Sequence, residues 1–207
     1  MRIRFALAVV SVATFALTYP TALAAEEETP PSVAPDGAAP DKAPEKSRSE
    51  QLDDLFQTLK KPSSKEAAKA AEDSIWRLWL QSGSDTIDLL MAWAMKAMEA
   101  KDYATALDFL DRVVTMKPEF AEGWNKRATV YFLMDDYSKS IADIGKTLAL
   151  EPRHFGALSG LGMIMRELGQ DKRAIEAYQK ALTVDPNLEG VQKALDELQA
   201  KLAGKQI

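Results

Sequence analysis

Cysteine is absent from this chain, and histidine occurs once, at position 154. Without cysteine there is no disulfide, no thiol nucleophile and no Cys-based metal site. Lipid attachment near the apolar N-terminus is excluded for the same reason. The sequence has no glycine-rich phosphate loop, no nucleophile elbow and no cluster with metal-ligand spacing. His154 sits in Pro152-Arg153-His154-Phe155 and is expected to be a solvated helix-start residue. Carboxylates fall mostly at caps, turns and exposed helical positions, and Asp135-Asp136 has the setting of a turn rather than a catalytic dyad. No converging polar pocket can be assembled from these residues, so no catalytic residue, cofactor or metal is expected.

Long apolar runs are also lacking after the first residues. Phe5 to Leu17 is apolar except for Ser11 and Thr14, follows the basic Arg2 and Arg4, and precedes the small-x-small pattern Ala22-Leu23-Ala24. The run is shorter than the ~20 residues a bilayer span needs. This is the pattern of a cleavable secretory signal over 1–24, cut after Ala24, and with no cysteines it suits a bacterial periplasm. Loss of its two arginines takes the formal charge from −5 to −7. An acidic chain argues against nucleic acid or anionic membrane as the main partner. Residues 25–48 hold Pro30, Pro31, Pro35, Pro40 and Pro44 among Ala, Glu, Asp and Lys. Nothing there can build a core, so a disordered or extended linker is expected.

What is present is a period. Pro118, Pro152 and Pro186 recur every 34 residues, and each closes a stretch holding two short helical patterns split by a polar turn. The three stretches align without a gap: Ile87–Pro118, Ala121–Pro152 and Phe155–Pro186. With Ala121 as position 1, position 4 holds Leu90, Trp124 and Leu158. Positions 7 and 8 hold Trp93-Ala94, Arg127-Ala128 and Leu161-Gly162. Position 11 is Ala97, Tyr131 and Met165; position 20 is Ala106, Ser140 and Ala174. Position 24 is Leu110, Ile144 and Tyr178; position 27 is Val113, Thr147 and Ala181. Small residues at 8 and 20 let two antiparallel helices approach, large ones at 4, 7, 11 and 24 fill the space between them, and proline ends the second helix. One pair cannot bury its apolar face alone, so stacked neighbours share a continuous core.

In these positions the chain resembles the tetratricopeptide repeat family. The middle unit departs from its pattern most, at Arg127, Ser140 and Thr147. The resemblance implies an all-α, right-handed solenoid of antiparallel helix pairs, with repeats at 87–120, 121–154 and 155–188. Before them, residues 49–83 read as a helical pair, a degenerate repeat or cap. Its first helix is Ser49–Lys60, with a Ser47/Glu50 capping box, and the second opens with a Ser63/Glu66 box and runs to about Ser82. Leu52, Leu55, Phe56 and Leu59 line one helix; Ala68, Ala71, Ile75, Leu78 and Trp79 line the other. Trp76 and Trp79 are expected to pack against Ile87–Met98, as a preceding repeat would; exposed, either would be a docking anchor. Residues 189–203 form an amphipathic C-terminal cap, with Leu195, Leu198 and Leu202 on its apolar face.

In this family the first helix of each repeat lines a concave binding face. The resemblance carries that role to Asp88, Met91 and Met95 in the first repeat. In the second it falls on Glu122, Asn125, Thr129 and Phe132, and in the third on Ser159, Met163 and Arg166. The strip is soft and apolar, and methionine suits varied apolar partners; Asn125 could pair with a peptide backbone. The family's carboxylate clamp is rejected. Met91, Met95, Lys126, Gly156 and Gly160 stand at its positions, and the apolar and glycine residues among them cannot supply charge-assisted hydrogen bonds.

Wording such as Leu52-Asp53-Asp54-Leu55-Phe56 and Glu151-Pro152-Arg153-His154-Phe155-Gly156 resembles small periplasmic tetratricopeptide proteins of alphaproteobacteria. That resemblance implies a scaffold or adaptor binding a protein or peptide of the cell envelope. A self-associating structural module and an envelope enzyme are the alternatives.

Overall fold

The computed structural model describes residues 46–204; the expected signal over 1–24 and most of the expected linker over 25–48 lie outside the described residues. Nine α-helices make up the described chain: α1 (Arg48–Lys60), α2 (Lys65–Leu80), α3 (Asp85–Glu99), α4 (Tyr103–Met116), α5 (Ala121–Leu133), α6 (Tyr137–Leu150), α7 (Phe155–Glu167), α8 (Asp171–Val184) and α9 (Glu189–Gly204). The pairs α3/α4, α5/α6 and α7/α8 are the three repeats. Each packs on the next, and α9 packs on α8.

Local chemistry starts and stops these helices. The Asp102 and Asp136 side chains accept from the N–H of Thr105 and Lys139, capping α4 and α6. Ser47 and Glu50 form the full capping box of α1. The second box is displaced by one residue: Ser64, not Ser63, caps α2 by accepting from Ala67 N–H, and the helix ends at Leu80 rather than Ser82. At the turn inside each repeat one residue takes a left-handed backbone: Lys101 (φ 58°), Asp135 (φ 58°) and Gly169 (φ 69°). Only the third repeat uses glycine, which adopts that conformation without a Cβ penalty.

The small positions carry the close approaches. Ala94, Ala106 and Ala174 are fully buried. A Cβ on Gly162 would stand 2.4 Å from the Tyr178 ring, so α7 and α8 can touch only because position 162 has no side chain.

The middle repeat replaces apolar packing with paired polar groups. Arg127 Nε and Nη2 donate to the two Asp143 oxygens at 2.7 and 2.9 Å, and Nη1 donates to Asp111 of α4 at 2.7 Å. Ser140 Oγ donates to the Ala128 carbonyl and Thr147 Oγ1 to that of Asp143. The departures are therefore satisfied internally, as burial demands.

The α1/α2 hairpin does not stack on the first repeat. It lies across the third repeat, where α7 begins and α8 ends. Leu52, Phe56, Leu59, Ala71, Ile75 and Trp79 form one core with Phe155, and Val184 and Leu188 pack against it. Asn187 Nδ2 donates to the Leu59 carbonyl at 2.9 Å, and Arg153 pairs with Asp53 while its guanidinium covers the Phe56 ring. Trp79 thus packs on the third repeat and not on Ile87–Met98.

Candidate functional site

The hairpin decides how much of the helix-A face stays open. Trp76 lies over Gly156, where a Cβ would stand 2.6 Å from the indole, and Lys126 sits 5.5 Å from the Trp76 ring centroid. Glycine at 156 is thus the seat of a tryptophan. The N-terminal half of α5 and α7 is covered in this way by the chain itself.

Under that cover is a buried polar cluster. His154 is fully buried, not solvated. Its Nδ1 accepts from Ala157 N–H at 3.1 Å, capping α7, and its Nε2 lies 2.9 Å from Glu122 Oε2. An accepting Nδ1 leaves the proton on Nε2, which donates to the carboxylate. Glu122 also accepts from Asn125 Nδ2 at 3.1 Å and has the Lys126 ammonium 3.0 Å from Oε1. Burial pushes the Glu122 carboxyl up, but the His154 hydrogen bond and the Lys126 charge outweigh it and hold the group below its ordinary range. Each side chain has a partner within the cluster, and Glu122 Oε1, which has no hydrogen bond, has the Lys126 charge beside it.

The rest of the face forms two adjoining cavities. The first, about 90 Å³, lies between α5 and α7; Thr129, Phe132, Gly160 and Met163 surround it, with Ile144 and Ile164 beneath. The second, about 500 Å³, runs on between α7 and α9, lined by Ser159, Met163, Arg166, Tyr178, Leu188 and Val191, with Glu72 of α2 at its edge. Met163 lines both. The Tyr178 hydroxyl is buried with no hydrogen-bond partner, and burial raises its pKa.

Of the residues expected to bind, Thr129, Phe132, Ser159, Met163 and Arg166 come together along these cavities. Asn125 reaches the first cavity, but it is 7% exposed and one of its amide N–H groups is donated to Glu122. Glu122 is 1% exposed, and Met91, at 2%, belongs to the core of the first repeat. Asp88 accepts from Ser82 N–H at 2.9 Å and so fixes the α2–α3 joint. Met95 is half-buried and lines neither cavity. Gly160, Tyr178 and Val191 were missed. Gly160 was legible only as a clamp residue that is absent, and Val191 only as part of a cap. Among the described residues no three His, Asp or Glu side chains are placed to hold a metal ion, and no helix is long and apolar enough to cross a membrane.

Comparison with known proteins places these features. A tetratricopeptide repeat profile matches residues 155–188. A TPR repeat-containing protein of Rhizobium etli is 44% identical over 155 residues, spanning 75% of this chain and 76% of that relative. The chain belongs to the tetratricopeptide repeat family. Solved tetratricopeptide domains share the fold. The first such domain of Spaghetti (RPAP3), bound to the HSP90 peptide SRMEEVD, superposes with a TM-score of 0.56 at 22% identity, covering 58% of this chain and 95% of that one. The Sgt2 domain of Aspergillus fumigatus gives 0.56 at 22% identity, covering 59% and 83%. A tetratricopeptide solenoid is a protein-interaction scaffold, and this one retains a partly open helix-A face. The α1/α2 hairpin lying across that face is what the repeat period alone does not contain.

Proposed function

We propose that this tetratricopeptide protein is an exported, periplasmic adaptor. On this reading it holds a protein or peptide of the cell envelope along α5 and α7, with an apolar side chain of the partner seated between Phe132, Gly160 and Met163. The observation that carries this reading is the cavity pair on a part of the helix-A face that the hairpin leaves open. Its walls are chiefly carbon, and Met163, 38% exposed, stands between the two halves. A flexible thioether at that place adapts to different apolar occupants. An acidic peptide end of the kind bound to the RPAP3 domain is disfavoured. Lys126, which stands at a clamp position, is turned to Glu122 and Trp76, and the chain carries excess negative charge. Export rests on the Arg2/Arg4, apolar-run and Ala22-Leu23-Ala24 pattern, and the envelope role on the resemblance that accompanies it.

A photoreactive residue at the exposed Thr129, followed by mass spectrometry of adducts formed in the living cell, tests the reading. A discrete adduct is expected. It should be lost in Met163→Glu and in Gly160→Phe, with helicity and melting unchanged; at Gly160 the nearest atom to an added Cβ is 3.8 Å away, so the backbone tolerates a side chain. Adducts that persist in both folded variants would remove the groove from consideration.

A further inference from the structure

Successive repeats of this chain cover one another through a fixed set of positions. In α5 these are Gly123, Arg127 and Val130. A Cβ on Gly123 would stand 2.7 Å from Val113 of α4, Arg127 reaches Asp111 of α4, and Val130 is fully buried in the core of the first repeat. In α7 the equivalents are Ala157, Leu161 and Ile164, which pack in one core with Ala128 and Ile144 of the second repeat. In α3 the equivalents are Leu89, Trp93 and Lys96, and these face solvent: Leu89 is 48% and Trp93 46% exposed. Trp93 is braced by Phe109, ring centroids 5.4 Å apart. The hairpin that precedes α3 in sequence is spent on the third repeat, so among the described residues the stacking face of the first repeat has no neighbour.

We propose that this face is the interface of a symmetric dimer, α3 packing antiparallel on the α3 of a second copy. The exposed stripe reads Asp85, Leu89, Ala92, Trp93, Lys96, at helical spacing along one side. It is self-complementary. A twofold interface makes each contact twice, residue i on j and j on i. With the axis beside Leu90 and Met91, Asp85 meets the other copy's Lys96 at both ends. Leu89 meets the other copy's Ala92 and Trp93 in the middle, where the small Ala92 lets the helices approach. A rigid aromatic pair in the centre with opposite charges at the rim is the usual anatomy of a protein interface. Head-to-tail stacking is disfavoured because the open side of α9 presents Gln192, Lys193, Asp196 and Glu197, which offer an apolar patch no counterpart. Trp76 and Trp79 play no part, since both rings are taken up by His154 and Phe155. The inference is independent of the groove.

Sedimentation of the full chain, less any leader the cell removes, should show a reversible dimer. Trp93→Glu should weaken it at least tenfold with unchanged circular dichroism. Lys96→Asp should weaken it as well, and the charge swap Asp85→Lys/Lys96→Asp should restore it, because only an antiparallel twofold pairing brings these two positions together. Cysteine at Ala92, in a chain that otherwise has none, should yield a disulfide-linked dimer on mild oxidation, while cysteine at the exposed Ser138 should not. A wild-type chain that stays monomeric, a dimer indifferent to Trp93→Glu, or a charge swap that fails to rescue overturns the proposal.

Discussion

The indole of Trp79 and the imidazole of His154 lie face to face, ring centroids 4.1 Å apart and planes 10° from parallel. Trp79 closes the N-terminal hairpin, and His154 caps the first helix of the third repeat. The contact therefore joins the start of the fold to its far end. It also roofs the Glu122 cluster.

Removal of either ring should loosen both. Trp79→Ala leaves a large void and should cost about 3–5 kcal/mol. His154→Ala should cost more than the ~1 kcal/mol of an ordinary helix cap, because Glu122 also loses a donor. The two should couple in a double-mutant cycle by about 0.5–3 kcal/mol. Denaturant unfolding measures all three terms, and strict additivity would show that the stack carries nothing.

Acidification should cost stability through Glu122. Its folded pKa is held below the unfolded value, so its stabilisation is present above roughly pH 4.3 and is lost as pH falls through the folded value. The melting midpoint should fall as pH drops below the ordinary carboxylate range. Glu122→Gln, which keeps an acceptor for His154, should flatten that slope; an unchanged slope would place the acid sensitivity elsewhere.

Arg127 and Asp143 stand where the other repeats have Trp93 with Phe109 and Leu161 with Ala177. Asp143 is 4% exposed. Arg127→Leu should therefore destabilise by about 3–5 kcal/mol by leaving a buried carboxylate unpaired. Adding Asp143→Ala should recover most of the loss, since an apolar pair is what this fold uses at the same place twice. Chemical denaturation of the two variants decides it.

Much of this fold was legible in the sequence. The closing prolines and the small residues at positions 8 and 20 are local signals, and each repeat meets mainly its neighbours, so a period read along the chain becomes a stack in space. The Ser47/Glu50 cap was legible for the same reason. The hairpin's docking was not. The apolar faces of α1 and α2 say that they are buried, but not against what, and a preceding repeat was the nearest inference. His154 and Glu122 lie 32 residues apart, and no local pattern announces that a histidine at a helix start and a carboxylate on the preceding repeat are partners. The candidate site divides the same way. Thr129, Phe132 and Met163 followed from their register, whereas Met91, Glu122 and Asn125 share that register but are buried by contacts the register does not contain.

The left-handed turns offer a test of local strain. Lys101 and Asp135 occupy the conformation that Gly169 occupies in the third repeat. A non-glycine residue there costs roughly 1–2 kcal/mol, partly offset by the greater unfolded entropy of glycine. Lys101→Gly should raise the melting temperature by a few degrees and Gly169→Ala should lower it. Opposite signs would mean that the turns are held by contacts rather than by backbone preference.

A repeat array is ordinarily a string of nearest-neighbour contacts that can assemble from any point and fray from either end. The docked hairpin ties this string into a loop: the Arg153–Asp53 pair spans 100 residues and the Asn187–Leu59 bond 128. Long-range closure of this kind slows folding and makes it more cooperative. It also sets an order of events on the ribosome, where chains appear N-terminus first. The α1/α2 hairpin is synthesised before every repeat, yet its binding surface is made nearly last. For most of its synthesis the nascent chain carries Trp76, Trp79 and Phe56 without the third repeat that covers them.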